Sequence, residues 1–80
     1  MMELTKVLTD IARAIVDNPD QVSVTEEIDE RGHVTLTLSV SPEDTGMVIG
    51  RHGRIAKAIR SVMKAAAGTC GKKVNVDIKD

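Results

Sequence analysis

Residues 34–40, Val-Thr-Leu-Thr-Leu-Ser-Val, alternate strictly between apolar and hydroxyl side chains. Successive side chains on a strand point to opposite faces, so this pattern calls for a strand with one apolar face and one bearing only short hydroxyls. Ser41-Pro42-Glu43-Asp44 follows at once and has the makings of a helix start. Ser41 can accept a hydrogen bond from a free N–H, Pro42 suits the first helical position, and two acids sit by the positive end of the dipole. A strand apolar on one side only, running straight into a helix, must be covered on that side and extended by other strands at its edges.

The remaining periodicities supply both. Leu4, Val7, Leu8, Ile11 and Ile15 recur at helical spacing, and proline disfavours helix in the residue before it, so a first helix is expected over roughly 3–17, stopping at Asn18-Pro19. Val22, Val24 and Ile28 share one parity and indicate a strand, with Glu26 out of place on the same face, and Asp29-Glu30-Arg31-Gly32 reads as a hairpin connection. The helix begun at Ser41 must be short, because Gly46 and Gly50 follow. A longer one runs from near Gly53 to about Ala67, with Gly68 as a left-handed residue after its end. Ile55, Ile59, Val62, Met63 and Ala66 form its apolar stripe, and Arg54, Lys57, Arg60 and Lys64 a basic one. Val74, Val76 and Ile78 mark a last strand. The order is α-β-β-α-α-β, an α+β chain with a three-stranded mixed sheet and three helices packed on one face. The hairpin is antiparallel, and the crossover through helices makes the last pair parallel.

Eighty residues, here 1–80, make a single domain with a limited core. A lone cysteine, Cys70, excludes an internal disulfide and a cysteine-based metal site. Neither His33 nor His52 has a partner at a metal-ligand spacing, so no metal or cofactor is expected. No apolar run approaches the ~20 residues of a membrane span. Glu3, Lys6 and Asp10 interrupt the N-terminal apolar residues, which removes a signal-peptide pattern, and a cytoplasmic protein is expected.

The net charge of −1 argues against a nucleic-acid binder, but its distribution argues for one. Residues 1–44 carry ten acids and three bases, whereas residues 45–76 carry seven bases and no acid. Within that acid-free stretch, Gly50-Arg51-His52-Gly53 forms a Gly-x-x-Gly loop leading into the basic helix. Glycines let the backbone approach a ligand closely, Arg51 supplies charge, and the following helix offers its first N–H groups and positive dipole end. His52 is mostly neutral near pH 7. Arg54 and Lys57 lie near enough to contact phosphate. Arg60 and Lys64, two or three turns away, read as solvating an exposed helix face, and Lys72 and Lys73 fit either role. Thr35, Thr37 and Ser39 read as a plain exposed sheet face or equally as a partner surface. The absence of Phe, Tyr and Trp speaks against an RNP-type sheet or an OB-fold platform and predicts weak affinity.

Three segments, VDNPDQVSV, VSPEDTGMVIGRHGRIAKAIRSVMKAAA and GKKVNVDI, in this element order, resemble a KH domain of the type II topology. More narrowly they resemble the KhpA family, small bacterial single-KH RNA-binding proteins. The resemblance implies that Gly50, Arg51, His52 and Gly53 clamp the backbone of single-stranded RNA, with Ile49 and Ile55 packed into the core on either side. It implies an RNA chaperone or post-transcriptional regulator. Such a protein acts as a homodimer or with a larger KH-domain partner, and is linked to cell-wall homeostasis and cell-length control. Met47 departs from the family, which more often offers lysine there. Two rival readings are a protein–protein module whose partner contacts the RNA, and a ribosome-associated KH factor. An enzyme is disfavoured: no nucleophile–base pair or carboxylate dyad appears, and Cys70 beside Lys72 and Lys73 has at most some thiolate character.

Overall fold

The structure, a computed structural model, describes residues 3–49 and 53–79. Strand β2, Val34–Ser39, sits at the centre of the sheet, as its pattern demands. Val34, Leu36, Leu38 and Val40 are buried, while Thr35, Thr37 and Ser39 on the other face are half-exposed. Strand β1, Ser23–Ile28, pairs antiparallel to it, from Ser23 opposite Ser39 to Ile28 opposite Val34. Strand β3, Val74–Ile78, pairs parallel on the other side, with Val76 opposite Leu36. This is the mixed three-stranded sheet expected.

Helices α1, Leu4–Ile15, α2, Pro42–Ile49, and α3, Arg54–Thr69, complete the α+β arrangement of a type II KH domain. Helix α1 lies on β1 and β2, α3 on β3, and α2 packs against α3. Leu8, Leu36, Leu38, Val48, Ile59 and Met63 are the large apolar side chains fully enclosed between them. Burying each contributes about 1.5–3 kcal/mol.

The element ends depart from expectation, each for a physical reason. Helix α1 stops at Ile15, with Val16 already extended at ψ 158°, rather than at Asn18-Pro19. The Asp17 and Asn18 N–H groups, which would continue the helix, donate instead to the Asp44 carboxylate at 3.2 and 3.0 Å. Pro19 opens a single 3-10 turn, Pro19–Gln21. At its other end α3 runs through Gly68 to Thr69. The left-handed residue is Gly71, at φ 69°, not Gly68. The Lys72 N–H donates to the Ala67 carbonyl and the Gly71 N–H to that of Gly68, at 2.9 and 3.2 Å, which satisfies the last turn by a Schellman motif. In the hairpin, Asp29 Oδ1 accepts from the Arg31 and His33 N–H groups, and the His33 bond foremost holds the Asp29 carboxyl below its ordinary range.

Three apolar side chains assigned to the core lie outside it. Ile28 is 60% exposed at the end of β1, Val62 is 49% exposed on the flank of α3, and Ile49 is 36% exposed at the end of α2. The buried row of α3 is Ala56, Ile59, Met63 and Ala67, and Val62 falls beside it. Glu26, on the helix-facing side of β1, stays exposed and accepts a hydrogen bond from Thr5 Oγ1 of α1 at 3.3 Å.

Candidate nucleic-acid interface

The loop is bracketed by one firmly anchored helix and one open helix end. Helix α2 has only eight residues, too few to hold together in water without tertiary contacts. Two residues supply them. Val48 is fully buried, and Asp44 is only 1% exposed. The Asp44 carboxylate accepts from the backbone N–H groups of Asp17 and Asn18, from Asn18 Nδ2 at 3.1 Å, and from Ser41 Oγ at 2.9 Å. Burial pushes this carboxyl up, but the donors from Asn18, Ser41 and the Asp17 backbone outweigh burial and hold it below the ordinary range. Ser41 caps α2, its Oγ accepting from the Asp44 N–H at 3.3 Å. Asp44 had been expected only as an acid at a dipole end. Its partners lie 26 and 27 residues away, and the one local signal for it is the spacing of Ser41 and Asp44 across the first turn.

Helix α2 ends at Ile49, and the chain re-enters at Gly53, with φ 63° and ψ 27°. Space does not require glycine there, since an added Cβ would meet nothing within 4 Å. The left-handed backbone does. Gly53 is the N-cap of α3, with no side-chain hydrogen bond to the helix and no acid in the first turn. Among the described residues the first N–H groups and positive end of α3 therefore stay available to an anion. Arg54 and Lys57, both exposed, stand three residues apart beside that end and make no ion pair among the described residues.

Of the expected site residues, Gly53, Arg54 and Lys57 are thus brought together, while Gly50, Arg51 and His52 lie outside the described residues. Ile55 is half-buried against the core as expected, and Met47 is packed there too. Ser39, Val40, Pro42, Thr45 and Lys79 line a shallow groove of about 400 Å³ between α2 and the ends of β2 and β3. Arg60 does not simply solvate α3. Its Nε donates to the Val76 carbonyl at 3.1 Å, tying the helix to β3.

Among the described residues no group of three His, Cys, Asp or Glu side chains is placed to hold a metal ion. Nor is any helix among them long and apolar enough to cross a membrane.

The fold is similar to part of two solved structures: a variant of Aquifex aeolicus Era bound to GDP.AlF4−, and Era in complex with MgGDPNP and nucleotides of 16S ribosomal RNA. The TM-scores are 0.65 and 0.66 at 13% identity. Each match covers 94% of this chain but only 29% and 28% of the other, so it speaks for the fold alone. The sequence is 53% identical to the RNA-binding protein KhpA of Clostridium perfringens, over 98% of this chain and 99% of that protein. It is 51% identical to the KhpA of Clostridium acetobutylicum, over 94% and 99%. Residues 5–78 match the profile of the KhpA/KhpB KH domain. With the type II topology and a loop entering α3 through a left-handed glycine, matches that span almost the whole chain settle its family: it belongs to the KhpA/KhpB KH-domain proteins.

Proposed function

We propose that this chain binds the backbone of single-stranded RNA through Gly50, Arg51, His52 and Gly53 together with Arg54 and Lys57. The observation that carries this reading is the uncapped, acid-free N-terminus of α3, flanked by two cations and entered through a left-handed glycine. Phosphates would sit on the loop backbone and the α3 N-terminus, with bases in the groove beside α2. Its relatives are named RNA-binding proteins, in keeping with this site. If Arg51, Arg54 and Lys57 each neutralise one phosphate, the log–log salt slope should be about −2.

One such site is weak without aromatic stacking, so pairing of two domains would raise affinity by effective concentration. We therefore extend the proposal to a cytoplasmic RNA chaperone or post-transcriptional regulator, working as a homodimer or with a larger KH-domain protein, and acting in cell-wall homeostasis and cell-length control. The exposed Ile49 and Val62 side chains give such pairing apolar surface to bury.

That same surface favours a second reading, a pairing module whose partner holds the RNA. The double variant Arg51→Asp with His52→Asp separates them. Filter retention of single-stranded RNA should be lost while the far-UV circular dichroism spectrum and the oligomeric mass persist. Unchanged retention would place the RNA site elsewhere.

A further inference from the structure

The proposed RNA site uses Arg51, Arg54 and Lys57 of the seven bases in the acid-free stretch, and Arg60 is tied to β3. Lys64, Lys72 and Lys73 remain. Lys64 precedes the adjacent pair Lys72 and Lys73 by eight residues, and the three meet in space because the Schellman turn folds the chain back beside the last turns of α3. With Ala67, Gly68 and Val74 they line a concavity of about 380 Å³ at the end of α3 far from the loop. All three lysines are exposed, none forms an ion pair among the described residues, and the lining includes no acid.

Two ordinary reasons for lysines at this place are weak. The Ala67 and Gly68 carbonyls already accept backbone N–H groups, so no ammonium is needed to cap the helix. Among the described residues no carboxylate balances the three charges, and like charges gathered around one concavity repel each other until an anion joins them. A ligand with several negative charges relieves that repulsion.

We infer that this concavity is a second phosphate-binding station, for the same single-stranded RNA running on from the loop along α3. The inference rests on the proposed function. The helix gives the route: its 16 residues span about 24 Å. Lys57 and Lys64, seven residues apart, fall within about 20° of one line along it. At about 3.4 Å per stacked nucleotide, some seven nucleotides cover that length. The ligand is thus an RNA about seven nucleotides longer than the roughly four that the loop holds.

The test compares oligouridines of about five and about fourteen nucleotides by fluorescence anisotropy over a potassium chloride series. The proteins are wild type, the loop double variant, and the triple variant Lys64→Ala, Lys72→Ala and Lys73→Ala. Wild type should bind the long RNA more tightly than the short one. The triple variant should leave the short RNA unchanged, weaken the long one about tenfold, and flatten its log–log salt slope by about 2. Arginines at the three positions should restore both. Long-RNA affinity and slope equal to wild type would overturn the station, and a changed oligomeric mass with unchanged RNA binding would assign the concavity to protein contact instead. The loop variant reports separately on the proposed function: if it binds the short RNA as wild type does, that reading fails whatever the triple variant shows.

Discussion

Two glycines three residues apart should respond to alanine in opposite directions. Gly68 lies inside α3, is exposed, and has open space around the position of a Cβ. Alanine there removes the entropic cost of a helical glycine and should stabilise by about 0.5–1 kcal/mol. Gly71 is equally open to solvent but holds φ 69° in the Schellman turn. An alanine forced into that conformation costs about 1–2 kcal/mol. The two variants should therefore differ by about 2 kcal/mol, out of about 4–12 kcal/mol for a domain of 80 residues. At about 4–8 °C per kcal/mol for a chain of this size, their melting temperatures should stand at least about 8 °C apart, one on each side of wild type. With no aromatic residue, intrinsic fluorescence is silent, so far-UV circular dichroism in thermal and urea melts is the measurement. Gly71→Asn should lose less than Gly71→Ala, because asparagine tolerates the left-handed region. The reasoning is refuted if Gly68→Ala melts below wild type while Gly71→Ala does not, the outcome expected were Gly68 the left-handed residue.

Asp44→Asn keeps the shape of the carboxylate but turns an amide N–H toward one of its donors, so it should lower the urea midpoint at pH 7. The folded carboxyl titrates below its ordinary value, so its contribution is present above about pH 3.9 and is lost as pH falls through the folded value. The gap between wild type and variant should close on acidification. A variant matching wild type at pH 7 would remove Asp44 as the anchor of α2. Leu36→Ala, at the fully enclosed centre of β2, should cost about 2–5 kcal/mol and leave much of the chain unfolded at 37 °C by circular dichroism. Arg60→Gln should lower the melting temperature yet weaken RNA binding less than Lys57→Ala, because Arg60 is engaged with the Val76 carbonyl. The reverse ranking in filter retention would return Arg60 to the RNA site.

Patterns that depend on near neighbours were legible in the chain. The alternation over 34–40 marked β2 and its buried face, since pleating places every second residue on one side whatever the rest of the fold does. Ser41-Pro42 marked the start of α2, and the glycines at 50 and 53 marked the break between α2 and the basic helix α3. Glycine identity alone could not say which of Gly68 and Gly71 turns left-handed. Both suit that conformation, and the choice follows from where α3 must release the chain toward β3.

Contacts between distant segments settled the remainder. Helix α1 ends at Ile15 because a carboxylate on α2 takes the N–H groups of Asp17 and Asn18. An apolar stripe is wider than the strip a neighbouring layer can cover, so packing left Val62, Ile49 and Ile28 at the surface. Arg60 reads as one more surface cation until β3 is laid beneath α3 with its Val76 carbonyl turned outward. Lys64, Lys72 and Lys73 share a concavity only because the turn at Gly71 brings them back together. Local sterics and periodicity wrote the elements and the candidate loop into the chain. Where helices stop, which apolar residues remain exposed, and which cations are free to meet a phosphate depend on hydrogen bonds and burial between residues far apart in sequence.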